Sequence, residues 1–211
     1  MILAIEGVDR HSYADLFEQM FRMRAAVFSD RLGWDVSVVD GREIDRFDAG
    51  DPLYLLCVDE LTQELRGAVR LLPTTGPNML RDVFAVLVPD GSVESPLIWE
   101  SSRFCVDTQN VAATAENGLR EATFLLFAAM IEWGQQRDLQ AIATVTDLRM
   151  ERILRRAGWH LDRLGTPRQI GATKAVAGLL PVTNDALGAI RAAGKISGLA
   201  IDAPSSLSLA A

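Results

Sequence analysis

The sequence predicts an α+β fold built on a mixed, mostly antiparallel sheet flanked by helices. Three observations predict it. PLYLLCVD (52–59) and GAVRLLP (67–73) are strand-like runs joined by a polar turn, the pattern of a hairpin. LIWESSRFCVD (97–107) is a third such run, followed by a long apolar-faced helix and the strand QAIATVTD (140–147). Strands that adjoin in hairpins and then pass into a β-α-β order fit α+β architecture.

From the N-terminus, a helix is expected to start at Ser12, whose spacing to Asp15 resembles a capping box, and to stop at Gly33. Tyr13, Leu16, Phe17, Met20 and Val27 form its apolar stripe. Residues 35–51, rich in Asp, Gly and Arg, read as a long functional loop or a short strand with turns. After the third strand, residues 117–137 form a helix whose broad apolar face includes Leu119, Phe124, Leu126, Phe127, Met130 and Ile131. LRMERILRRAG (148–158) is a basic helix stopped by Gly158, WHLDRL and TKAVAGLLP are short strands, and a last helix covers 183–196. Residues 1–197 are expected to form one domain and 198–211 a flexible tail.

Composition narrows the function classes. A net charge of -7 argues against nucleic acid as a partner. MILAIEGVDRHS has no basic start leading into a long apolar run, and no apolar run is long enough to span a bilayer, so a cytoplasmic location without membrane contact is expected. Cys57 and Cys105 lie in apolar strand contexts and read as buried thiols. The two histidines, His11 and His160, have no other metal ligand near them, so no metal is expected.

The informative residues are charges where apolar side chains belong. At about 100° per residue, Arg24 falls roughly 20° from Tyr13 on the helical wheel and Arg31 close to zero. Arg31 is near a helix end and can snorkel, whereas Arg24 is two turns away and calls for a carboxylate partner. Arg70 interrupts GAVRLLP, and Glu100 and Arg103 interrupt LIWESSRFCV. Asp45 and Asp48 stand in EIDRFDAGD, spaced so that one turn can aim both at one point. Charged groups are almost never fully buried unless paired. Arg24, Arg70 and Arg103 with Asp45, Asp48 and Glu100 would therefore satisfy one another. For any one of them a purely structural ion pair is the simpler reading; for six, beside Phe28 and Trp34, a ligand site is. Glu100 and Arg103 are an odd number apart, so a regular strand would point them to opposite faces. Either a bulge re-aims one, or only one serves the site.

The spacing of Arg24, Phe28, Trp34, Asp45, Asp48, Arg70, Phe84, Glu100 and Arg103 resembles the acyl-homoserine-lactone synthases, the autoinducer synthases of bacterial quorum sensing. RAAVFSDRLGWD, DRFD, GAVRLLP, WESSRFCV and TVTDLRMERILRRAGW carry the resemblance, which covers roughly residues 1–181. It implies a fold similar to the CoA-dependent N-acetyltransferases: a twisted mixed sheet flanked by helices, with the acyl donor between splayed strands. It implies acyl transfer from a thioester to the amine of S-adenosylmethionine, then lactonisation as the methionine carboxylate displaces methylthioadenosine. No tightly bound cofactor is implied.

On that resemblance Arg24, Phe28, Trp34, Asp45, Asp48, Arg70 and Phe84 form the S-adenosylmethionine site, and Glu100 and Arg103 carry the catalytic role. Asp45 and Asp48 suit the cationic groups, and Arg24 or Arg103 suits the carboxylate or the orientation of those aspartates. Phe28 and Trp34 suit the adenine or the sulfonium. Glu100 is either the base, directly or through water, or an anchor for Arg70. Phe84 is equally readable as core. Ser101, Phe104, Met130, Thr144 and Leu180 are the candidate acyl-pocket residues. The donor is an acyl-CoA or an acyl carrier protein; Arg149, Arg152, Arg155, Arg156, Arg163 and Arg168 offer basic surface to an acidic carrier. Two other readings remain at this point. One is an ordinary CoA-dependent N-acyltransferase, disfavoured because VDTQNVAATAENGLR has only Gly118 where a glycine-rich loop would cradle pyrophosphate. The other is a non-catalytic small-molecule sensor, which would have lost some of the charged set.

Overall fold

A computed structural model describes residues 1–50, 52–89, 91, 93–107 and 121–201. Gly118 and Leu119, singled out above, lie outside the described residues. The strands are β1 (Ile2–Glu6), β2 (Val38–Val39), β3 (Arg42–Glu43), β4 (Leu53–Val58), β5 (Leu65–Pro73), β6 (Ile98–Val106), β7 (Ala141–Asp147), β8 (Asp162–Arg163), β9 (Arg168–Ile170) and β10 (Thr173–Pro181). The α-helices are α1 (Ala14–Arg24), α2 (Met79–Asp82), α3 (Glu121–Gln135), α4 (Leu148–Arg156) and α5 (Asn184–Gly194). The main sheet runs β1-β4-β5-β6-β7-β10-β8, with β9 also on β10. All its pairings are antiparallel except β6–β7. This is the expected α+β sheet. β1 was not anticipated, because five residues at a chain start carry little periodic signal.

Alternation along β5 shows how the sheet divides the core. Val69 and Leu71 face a large cluster built with α3 and α5. Ala68 and Leu72 face the opposite layer, where Phe17, Met20, Val27 and Phe28 pack on one side of Arg70 and Phe47 and Met79 on the other. The period of two thus puts Arg70 in the middle of a buried apolar face.

The first helical region differs from expectation. Gly7–Tyr13 is a 3₁₀ helix, Tyr13 is the N-cap of α1 without a side-chain bond, and the Ser12–Asp15 capping box does not form. From Ala25 to Arg31 the helix widens into a π-helix. Such turns are rare and cluster at functional sites. This one changes the residue phase just after Arg24, which the uniform 3.6-residue period could not foresee.

The two cysteines are free and buried. Burial pushes the Cys57 thiol up to about 11 and the Cys105 thiol up to about 12, so neither is a nucleophile at neutral pH. Beyond α5, Ala200 is buried and Ile201 bridges Ile2 of β1. The backbone amides of both donate to the buried Glu132 of α3. The first residues of the expected tail are therefore docked. No helix among the described residues is long and apolar enough to cross a membrane.

Candidate functional site

Six charged side chains meet on the α1 face of the sheet, around Arg70. Arg24 forks onto Asp48, Nη1 to Oδ1 and Nη2 to Oδ2, both at 2.9 Å, and its Nε donates to Glu43 at 2.6 Å. Arg70 donates from Nη1 to Asp45 at 2.6 Å and to Asp48 at 2.8 Å, from Nη2 to Asp45 at 3.0 Å, and from Nε to Ser102 Oγ at 3.1 Å. Arg103 donates from Nη2 to Glu43 at 2.9 Å and its Nη2 lies 2.9 Å from Asp45. Three guanidiniums thus face three carboxylates, and Arg24, Arg70, Glu43 and Asp48 are no more than 2% exposed. Bidentate, charge-assisted pairing of this kind is what permits such burial.

Local structure explains the convergence. Asp45 and Asp48 bracket a 3₁₀ turn, Arg46–Ala49, as a reciprocal capping box. Asp45 Oδ1 accepts from the Phe47 amide and Asp48 Oδ2 from the Asp45 amide, each at 2.9 Å, so one turn does aim both acids at one place. Glu43 ends a small hairpin, β2–β3, whose tip Asp40-Gly41 has both φ angles positive (53° and 75°), as a two-residue turn requires. Tyr54 of β4 donates its hydroxyl to Asp48 at 2.7 Å.

A bulge answers the question of Glu100 and Arg103. Ala68 pairs with Cys105 and Arg70 with Ser102, so Arg103 and Phe104 together stand opposite Val69. Arg103 adopts φ 53°, a conformation costly for a residue with a Cβ. The extra residue keeps Arg103 on the same face as Glu100 and Ser102 while Phe104 turns to the other face and packs on Phe127 of α3.

Glu100 acts on Arg70 through its charge, and its hydrogen bonds go elsewhere. Its two oxygens accept from the Met79 and Leu80 amides at 2.7 and 2.6 Å, fixing the start of α2. Burial raises its carboxyl to about 7, against the opposing pull of those amides and of Arg70 and Arg103. Asp48 moves the other way: burial would raise it, but Arg24 and Arg70 hold it well below the usual carboxylate range. Arg24 is held above the ordinary guanidinium value, because Asp48 and Glu43 outweigh the burial that would lower it.

The Glu100 shift has a consequence for stability. Its folded value lies above the ordinary one, so the folded state carries the extra proton between the two. The contribution is complete at low pH and is lost as pH rises to about 7. The melting temperature is expected to fall between about pH 5 and about pH 7.5, and the Glu100→Gln variant to lose that slope. Thermal unfolding in matched buffers checks this.

Phe28 and Trp34 stack with centroids 5.3 Å apart, and the Arg103 guanidinium lies over the Phe28 ring at 5.3 Å. Phe28 is buried and Trp34 half-buried. Phe84 is half-buried beside Phe47, Leu72 and Met79. The five candidate acyl-pocket residues lie across the sheet. Met130 and Leu180 are buried in the α3 cluster and Phe104 packs against it. Ser101 pairs with Thr144, whose Oγ1 donates to the Ser101 carbonyl at 3.5 Å.

That pair also marks where β6 and β7 stop pairing: the parallel ladder runs from Ile98↔Ala141 only to Ser101↔Thr144. Both strands continue beyond it, β6 to Val106 and β7 to Asp147. From Ser102 and Arg103 onward β6 therefore has no ladder partner on β7. On α4, Glu151, Arg152 and Arg155 line a cavity of about 210 Å³ with His160, Leu161 and Arg163. Arg163 is held by both oxygens of Glu151 at 2.6 and 2.7 Å. Among the described residues, no group of three or more His, Cys, Asp or Glu side chains is placed to hold a metal ion.

Sequence reasoning missed Glu43, Tyr54, Ser102 and Met79. Only Glu43 carried a usable signal, two residues before Asp45 and hence on the same side of an extended chain. A family model described as autoinducer synthase matches residues 8–190. A probable acyl-homoserine-lactone synthase of Sinorhizobium fredii is 46% identical over 91% of this chain and 92% of its own. The acyl-homoserine-lactone synthase of Agrobacterium fabrum is 46% identical over 85% of each chain. Among solved structures, the AHL synthase LasI superposes with a TM-score of 0.80 at 32% identity, over 91% of this chain and 94% of its own. A CoA-dependent acyl-homoserine lactone synthase, BjaI, with SAM and isopentyl-CoA, reaches 0.84 at 28% identity, over 97% and 94%.

Proposed function

The chain belongs to the autoinducer-synthase family of acyltransferases, and from that premise we propose that it acylates S-adenosylmethionine from an acyl thioester and closes the product to an acyl-homoserine lactone. The amine attacks the thioester carbonyl, the thiol leaves, and an amide forms. The methionine carboxylate then attacks the carbon bearing the sulfonium, closing the lactone and releasing methylthioadenosine. The observation that carries this reading is the end of β6–β7 pairing at Ser101 and Thr144. The two strands run on unpaired between the charged cluster, whose chemistry suits an amino acid sulfonium, and the apolar side chains of the α3 face, whose chemistry suits an acyl chain.

Within it, Asp45 is the acid with the most exposure, 15%, and is the group to meet the substrate's cationic end. Phe28 and Trp34 offer flat surface to the nucleoside or the sulfonium. Arg24 orients Asp48 and Glu43 and does not itself reach substrate. Glu100, raised to about 7, has the proton affinity that a base for an ammonium needs near neutral pH, and it passes the proton through water because its own oxygens are buried. Ser101, Phe104, Met130, Thr144 and Leu180 line the acyl side.

The test mixes the protein and S-adenosylmethionine with a panel of acyl-CoA and acyl-carrier-protein donors. Lactone and methylthioadenosine are expected together by mass spectrometry; thiol release without methylthioadenosine across the panel would sink the reading. Both donor classes carry phosphate, and the α4 cavity with Arg152 and Arg155 is the surface proposed to meet it. Arg155→Glu is therefore expected to raise KM for the thioester roughly tenfold and leave KM for S-adenosylmethionine unchanged.

A further inference from the structure

One feature of the charged cluster has no role in the scheme above: the thioether of Met79. Its Sδ accepts from Arg70 Nη2 at 3.4 Å and from Arg103 Nη1 at 3.3 Å. Met79 is 7% exposed, and its own amide is pinned by Glu100. A thioether is a weak acceptor, yet here it stands between two guanidiniums whose other partners are carboxylates or a hydroxyl. Arg24 has no such edge: its Nε, Nη1 and Nη2 all go to Glu43 and Asp48.

We propose that Met79 is a positioning residue whose thioether holds one edge each of Arg70 and Arg103 until the carboxylate of the amine substrate takes them over. The inference rests on S-adenosylmethionine being that substrate. A carboxylate oxygen between Nη2 of Arg70 and Nη1 of Arg103 gains two charge-assisted bonds and displaces only two weak ones. Displacing Asp45, Asp48 or Glu43 instead would break bonds as strong as those gained. The cluster already balances three guanidiniums with three carboxylates, so an ordinary strong acceptor at position 79 would leave the substrate no donor to claim. Glu100 sets the placement, because it fixes the Met79 amide. The Phe84 amide in turn donates to the Met79 carbonyl at 2.9 Å, which ties Phe84 to the same point.

The experiment compares binding of S-adenosylmethionine and of its decarboxylated analogue by calorimetry, in the wild-type chain, Met79→Gln and Met79→Leu, with melting temperatures alongside. The wild type is expected to prefer the carboxylated ligand at least roughly tenfold. Glutamine supplies a strong amide acceptor of similar length, and it is expected to cut that preference about fivefold by weakening the carboxylated ligand alone. Leucine removes the acceptor at nearly constant volume and is expected to raise the preference about threefold, since the two donors then lack even a weak partner. Leucine decides the matter if the glutamine variant does not fold. An unchanged preference in a folded Met79→Gln, a lowered one in Met79→Leu, or equal loss of both ligands would overturn the proposal and leave the substrate assignment standing. Failure of the wild type to bind S-adenosylmethionine would overturn both.

Discussion

Arg24→Ala is expected to cost about 3–5 kcal/mol of folding stability, because it leaves Glu43 and Asp48 buried without their shared cation. Turnover should fall by on the order of 100-fold or more, since the Asp45–Asp48 turn and the Arg103 partner both lose their reference point. Arg24→Lys should rescue little of either. One ammonium cannot fork onto both oxygens of Asp48 and also reach Glu43, as the guanidinium does at 2.9, 2.9 and 2.6 Å. Urea denaturation and product mass spectrometry on the three chains check both effects. An Arg24→Ala variant with near-normal turnover would remove the cluster from the site.

The second large effect is expected at Glu43, which is fully buried and joins Arg24 to Arg103. Glu43→Ala leaves two guanidiniums with excess positive charge in a dry interior, a loss of about 3–5 kcal/mol. Glu43→Gln separates geometry from charge. It retains an acceptor for Arg24 Nε or Arg103 Nη2 but presents an NH₂ group to the other. It should keep about half of the lost stability and still lower turnover roughly tenfold, because Arg103 is no longer held against Phe28. Equal turnover in Glu43→Gln and the parent chain would mean that Arg103 needs no second anchor.

Most of this architecture is legible in the sequence. The hairpin of β4 and β5, the β6 strand and the β-α-β return each declared themselves by period and turn chemistry. So did the anomaly of charges at Arg24, Arg70 and Arg103, since burial demands partners and Asp45 and Asp48 were in reach. What stayed hidden had specific causes. The π-helix after Arg24 has no sequence signature. Glu43 lay among exposed charges of the same loop, and only its two-residue spacing to Asp45 hinted that its carboxylate turns inward as those of Asp45 and Asp48 do. Glu100 looked like an ion-pair partner because its amide partners, Met79 and Leu80 of α2, lie 21 and 20 residues earlier, and backbone donors leave no mark in a sequence. The bulge at Arg103 was legible only as a contradiction in alternation.

That bulge has a further consequence for any effort to harden the protein. Holding Arg103 at φ 53° costs on the order of 1 kcal/mol that glycine, lacking a Cβ, would recover. Glycine would also strip the buried Glu43 of a guanidinium partner, a loss larger than the strain it recovers. A library sorted for heat resistance alone is therefore expected to keep arginine at 103, so its retention there would not by itself report on product formation.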